Sequence, residues 1–555
     1  MPQTIALLER APLALEDALA EDHNVVKLAS YVPATNELYA SLLAQRAQVE
    51  AVVRHHLGLS QRRDECTVLP WQRWIRGAFN VCIVVEVQTG ARRWGAQPSG
   101  AAAAGTAAEA GDGATKLVIV RCPMPYKVGE DLYPGSVDEK LSCEVAAYSW
   151  MQANCPDIRI PHLYGFGTTS DQHFTHISQL SLFTRLRRRI WQWLHRVWGR
   201  PLLTNYVHQR IRFPKPEAAT LPSISSPSPA QIPSFSSAYV VLEFLSPEKT
   251  GRMLSETFPA DLVHEEKRRN LFRGMSRIML SLARIPQSRI GSFTFNAIDQ
   301  TITLTGRPLF SSVKILENDG AEQFIEPGHT YNCTDAYVSD FITFHDRRFL
   351  SQPNATYADD DCRGQLAVKT LLRVLANRYI DRARRDGPYF LQLTDLHASN
   401  VLVDDDWNVN GLIDLEWMCS LPAENMSVPY WMTGLAIDQI EGEAYDNFDK
   451  IRREFMETFE EEEEDHTSPD GVVLSRVMND MWDSKGVWFW HCLSSVNAMY
   501  FILREHVLPA TLTIDAEPYI AKFWGDNVDD VVKQKLKDKQ EYDEKLRALF
   551  SPNKV

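Results

Sequence analysis

The sequence has no apolar run long enough to cross a bilayer. The nearest, residues 81–87, is strand-sized, against the roughly 18 residues that a membrane helix needs. Paired C-x-x-C spacing is also missing. The nine cysteines (Cys66, Cys82, Cys122, Cys143, Cys155, Cys333, Cys362, Cys419 and Cys492) are scattered, with no histidine at zinc-finger spacing, so neither a disulfide framework nor a zinc site is predicted. A reducing compartment, the cytoplasm, is the simplest expectation, and there the sequons at Asn332 and Asn354 carry no glycan. A basic surplus is absent: the formal net charge is −14, which argues against nucleic acid as the main partner while leaving room for a local positive site that holds a nucleotide. Residues 1–13 lack the charged-then-apolar order of a signal peptide. His264-Glu265 does not extend to H-E-x-x-H, and no G-x-S-x-G elbow occurs.

What is present fits a folded chain of two or three packed units, because 555 residues exceed what one core supports and 44% of them are hydrophobic. Residues 36–56 carry apolar side chains at helical spacing (Leu38, Leu42, Val49, Val52, Val53) and predict a leading helix. Val- and Ile-rich runs at 81–87 and 116–121 predict strands, joined by an Ala/Gly-rich flexible loop at 97–113. Helices are expected at 137–151, 271–285, 365–385 and 487–508, and a further strand at 240–245. Residues 185–200 combine six arginines with Trp191, Trp193 and Trp198. They predict a basic amphipathic helix, packed on its own protein or touching an anionic membrane surface. A Ser/Pro-rich linker follows at 221–237, and the acidic run 460–465 reads as a solvated loop or helix end.

Chemistry concentrates in FLQLTDLHASNVLVDDDWNVNGLIDLEW, residues 390–417. Residues 401–403 and 412–413 read as two short strands around an Asp/Asn/Gly turn, and closing that hairpin brings Asn400 and Asp414 to its open end, with Asp395 on the preceding loop. Two carboxylates and an amide on one edge suit Mg²⁺, a hard cation that takes a few oxygen ligands and leaves other positions to phosphates and water. Phosphoryl transfer needs that arrangement, with one further group to orient and deprotonate the attacking hydroxyl.

The segments D-L-H-A-S-N at 395–400 and I-D-L-E-W at 413–417 resemble the aminoglycoside phosphotransferase family, including choline-kinase-like and fungal members. The resemblance implies an α+β, bilobal protein-kinase-like fold, with a small β-rich N-lobe and a larger, mainly helical C-lobe. It divides the chain into an N-terminal helical extension (1–60), an N-lobe (61–242) with insertions at 97–113 and 171–237, and a C-lobe (243–555). It implies Asp395 as catalytic base and Asn400 and Asp414 as metal ligands, with His397, Glu416 and Trp417 as supporting or substrate-facing residues. Gly77 then sits where a phosphate-covering turn belongs, Arg121 takes the position of the phosphate-binding lysine with Glu144 as its partner, and Glu243 and Leu245 mark the hinge that meets the nucleotide base.

Two departures stand out: Leu393-Thr394 replaces the family's His-Gly, and the turn has a single glycine. The expected cofactors are Mg²⁺ and ATP, with GTP as the alternative, and the expected partner is a small-molecule hydroxyl acceptor. Neither nucleic acid nor integral membrane contact is expected. A kinase-fold binding or scaffold protein with little turnover is the alternative. A protein kinase comes third, since Leu421-Pro422-Ala423-Glu424-Asn425 stands where A-P-E would. Trp417, Tyr430 and Trp431 are expected in the core rather than facing an acceptor.

Overall fold

The computed structural model describes residues 4–90, 115–214, 234–464, 471–509 and 511–551. The loop at 97–113, residues 221–233 of the Ser/Pro segment and Asp465 lie outside these. The fold is mixed α+β: a sheet-rich N-terminal part and a mainly helical C-terminal part.

The N-terminal part is an eight-stranded sheet in which every pairing is antiparallel. Its centre runs Leu163–Gly167, Tyr239–Glu243, Thr115–Pro123, Asn80–Thr89, and the last of these pairs with both Asp64–Val68 and Ile75–Arg76. Val, Ile and Cys fill these strands, and β-branched side chains suit a pleated, two-sided surface. Both faces are covered. Helices Val25–Ala44 and Arg46–His56 pack one, and helix Ser136–Asn154 packs the other.

Helix boundaries depart from periodicity where a polar residue captures a backbone group. The leading helix breaks at Gln45, whose side chain exchanges hydrogen bonds with Ser236. The apolar stretch at 487–508 is not one helix: Gly486–Ser494 ends where Ser495 Oγ accepts the Ala498 amide at 2.8 Å, and Met499–Ile502 starts afresh. Residues 460–464 form the end of helix Glu443–Glu464, where Glu462 pairs with Arg277 at 2.7 Å.

The sheet and the helical part share one continuous core running from Phe79, Val84 and Ile119 through the Ser136–Asn154 helix to Trp417 and Trp488. All nine cysteines are unpaired thiols. No helix among the described residues is long and apolar enough to cross a membrane.

Candidate functional site

Residues 389–422 fold as two nested antiparallel ladders. The outer one pairs Tyr389–Leu393 with Met418–Pro422, ending at Leu393 opposite Met418. The inner one pairs Val401–Val403 with Val409–Leu412, starting at Val401 opposite Leu412. Residues 394–400 and 413–417 therefore face each other across the gap between the ladders, so Asp395, Asn400, Asp414 and Glu416 fall in one place. The Ile413 amide donates to the Asn400 carbonyl at 3.0 Å, and the Thr394 amide to the Trp417 carbonyl at 2.9 Å, clamping the gap at both ends. Ile413 lies beyond the second inner strand, which is instead Val409–Leu412.

The sheet meets this gap through Arg121. Its guanidinium lies 2.8 Å from Glu144, 2.5 Å from Asp414 and 3.0 Å from Glu416. Glu416 is 2% exposed and also pairs with Lys140, which is itself fully buried and 3.6 Å from Glu144. Asn80 joins both partners: its Nδ2 donates to Glu416 at 2.9 Å and its Oδ1 accepts from Lys140 Nζ at 2.9 Å. Two cations thus face three carboxylates, leaving one negative charge in surplus. Burial opposes ionisation throughout, yet Arg121 and Lys140 together hold the Glu416 carboxyl below its ordinary value. At Glu144 burial wins over the same two cations and the carboxyl is pushed up.

Asp395 stands outside this network. Ser311 Oγ donates to it at 3.2 Å, and burial raises its carboxyl above the usual range, helped by the nearby charges of Asp414 and Glu416. Asn400 is pinned by its own Nδ2, which donates to the Asp395 carbonyl at 3.0 Å and lies 3.4 Å from His397 Nε2. His397 itself is exposed. Beside Asp395 opens a cavity of about 580 Å³ whose walls include Phe310, Tyr430, Trp431, Trp490 and His491. That is the size range of small-molecule sites. Tyr430 and Trp431, expected in the core, pack half-buried against it and also line this cavity, whereas Trp417 is 1% exposed, packs edge-on against Phe79 and is not part of the cavity wall.

The remaining sequence candidates separate. Gly77 lies in a tight turn closed by its amide on the Asn80 carbonyl at 2.9 Å, next to the strand start that supplies Asn80. A Cβ there would make only ordinary contact, so space does not demand glycine. Val240 pairs with Arg121 in register, which puts the Tyr239–Glu243 strand alongside the site. The Glu243 side chain points elsewhere, to Arg159 at 2.6 Å and the His162 amide at 3.1 Å, and half-buried Leu245 follows the strand. Asn80, Lys140 and Ser311 were not singled out from sequence. The i,i+4 spacing of Lys140 and Glu144 was the one available signal, since it places both on one helix face.

Among the described residues no three His, Cys, Asp or Glu side chains cluster as metal ligands. The Asn400 and Asp414 side chains still offer the oxygen donors that a phosphate-bound Mg²⁺ takes from a protein, with Asp414 34% exposed. No protein-family model matches the chain, and no curated protein matches it.

Proposed function

We propose that the chain is a Mg²⁺-dependent phosphotransferase of bilobal, kinase-like build that moves the γ-phosphate of ATP to a hydroxyl of a small molecule. The observation that carries the reading is the gap between the two ladders, which gathers Asp395, Asn400 and Asp414 and where Asp414 meets an arginine delivered by the sheet. The antiparallel order of the sheet, with the Arg121 strand central and a buried Glu144 helix behind it, supports the kinase-like reading. In this reading Asn400 and Asp414 hold the metal, which neutralises phosphate charge when bound, and the surplus negative charge of the cluster favours it.

Asp395 takes the proton of the acceptor hydroxyl, whose oxygen forms the new bond to the γ-phosphorus. The bond from that phosphorus to the bridging oxygen breaks, and ADP leaves. The cavity beside Asp395 holds the acceptor, its aromatic walls offering apolar contact and Asp395 the polar one. Arg121 exchanges Asp414 for phosphate oxygens, which its planar head can grip bidentately. The direct Arg121–Asp414 pair also favours a second reading, a nucleotide-binding scaffold in which this ion pair stays closed.

The test is thermal melting with Mg-ATP, followed by transfer of labelled γ-phosphate to a library of hydroxylated compounds. At about 100-fold over Kd the nucleotide is expected to stabilise the fold by about 2.7 kcal/mol. A melting temperature indifferent to Mg-ATP sinks both readings, while stabilisation without transfer to any acceptor selects the scaffold.

A further inference from the structure

The helix Leu182–Val197 is turned inside out. Surface helices of globular proteins bury their apolar stripe and show a polar face to water. Here Leu182, Phe183, Leu186, Ile190, Trp193 and Val197 fall within an arc of about 100° at 3.6 residues per turn. That stripe is the outward face: Leu182 is 78% exposed, Phe183 76% and Trp193 62%. No residue of the helix is buried.

The opposite, polar face holds the helix to the body. Arg188 donates to the Thr204 and Tyr206 carbonyls at 2.8 and 3.0 Å and to Gln300 Oε1 at 2.9 Å. Gln192 donates to the Leu203 carbonyl at 3.0 Å and to Asn205 at 2.8 Å, and Arg185 to the Leu180 carbonyl at 2.9 Å. These anchors, charge-assisted at Arg185 and Arg188, fix the rotation of the helix, so the apolar stripe cannot roll inward without breaking them.

The charge pattern says what covers the stripe. Arg187, Arg189, Arg196 and Arg200 are exposed, and no carboxylate occurs anywhere in residues 182–200, in a chain of net charge −14. At helical spacing Arg187 lies on one flank of the stripe and Arg189 and Arg196 on the other. Exposed Trp191, Trp193 and Trp198 add rings suited to the boundary between water and hydrocarbon. An apolar stripe flanked by arginines and enriched in tryptophan is the pattern of a helix lying in a lipid headgroup layer. We infer that Leu182–Val197 is a membrane-surface anchor that seats the protein on anionic phospholipid, its apolar stripe in the acyl boundary and its arginines on lipid phosphate and carboxylate.

Sedimentation of the full chain with vesicles tests this, comparing phosphatidylcholine alone with phosphatidylcholine mixed with phosphatidylserine. The wild type is expected to pellet with the mixed vesicles and to stay in solution with the neutral ones. Arg189→Gln with Arg196→Gln should weaken binding about fivefold per arginine at low salt. Phe183→Ser with Trp193→Ser should abolish it without moving the melting temperature, because both side chains are exposed. No pelleting with mixed vesicles overturns the inference, as does equal pelleting with both kinds. A scattering mass of a dimer that falls to a monomer in the Phe183→Ser, Trp193→Ser chain also overturns it, assigning the stripe to a second copy.

Discussion

Asp395 is under two opposed demands. Burial beside the cavity pushes its carboxyl up, and a base must be ionised to act. Under the proposed reading kcat/KM should therefore fall on the acid side with a midpoint above the ordinary aspartate value of about 3.9, read from a pH–rate profile. Asp395→Asn should lower kcat about 10²- to 10⁴-fold while the Mg-ATP melting shift persists. The same raised pKa has a sign for stability. The native state disfavours the ionised form, so the cost is absent below the unfolded pKa and fully present above the folded one. Asp395→Asn should thus melt at or above wild type at pH 7, and gain nothing in acid.

The ion cluster behaves oppositely: Lys140→Met strands Glu144 and Glu416 with Arg121 alone, and should cost about 3–5 kcal/mol in a urea unfolding curve. Asp395, Asn400 and Asp414 were legible because they lie within one short stretch whose strands and turn bring them together. Lys140 was not, since a lysine is almost never fully buried and nothing local announces the partner it finds in Glu416.

Among the elements, the inner hairpin was readable from alternating apolar and turn residues, but the outer ladder was not. Tyr389–Leu393 and Met418–Pro422 show no turn between them, because the turn that joins them is the site itself. The hairpin is steadied from outside by Arg252–Met253, which pairs with Val403 and Leu402. Gly251 enters that strand at φ 77° and ψ −170°, a region open almost only to glycine, and a Cβ there would collide with the Val403 carbonyl. Gly251→Ala should cost about 2–4 kcal/mol by strain and displacement, measured as a shift in urea midpoint. Turnover should suffer with it, since the displaced strand continues from Asn400.

The Ser136–Asn154 helix is held from two sides by buried charge. On one side Glu144 meets Arg121 and Lys140 meets Glu416, while on the other Glu139 receives Arg307 at 2.7 Å and Lys314 at 2.5 Å. A helix clamped by two such networks has one allowed position, which is what a residue that must meet Arg121 needs.

Over the whole molecule, the sheet and the helical part were expected as successive units, and the structure ties them together at the chain ends. The N-terminal hairpin Thr4–Leu7 with Arg10–Ala14, and the helix Leu15–Ala20 after it, were absent from the periodicity because the segment is too short to show a pattern. Their apolar residues pack against helix Val528–Leu549 and the start of helix Val25–Ala44: Leu7, Ala18 and Val25 cluster with Tyr542, Leu546 and Phe550, and the Val25 amide donates to Tyr542 Oη at 2.9 Å.

Asn354 locks this joint. Its Nδ2 donates to the Glu21 carbonyl at 2.9 Å and its Oδ1 accepts from Lys539 at 2.9 Å, so one amide holds both ends of the chain against the helical part. At 4% exposure the sequon side chain is a structural bridge, closed to a glycan in the folded state. Asn354→Ala leaves the Glu21 carbonyl and one Lys539 proton unmatched, and should cost about 1–3 kcal/mol. Because the lost bonds fasten an edge rather than the core, the loss should fall on local opening of the N-terminal segment before global unfolding. Limited proteolysis reads this directly: cleavage within residues 8–24 should quicken in Asn354→Ala at a protease level that spares the wild type. Uniform acceleration across the helical part would instead place Asn354 in the global core.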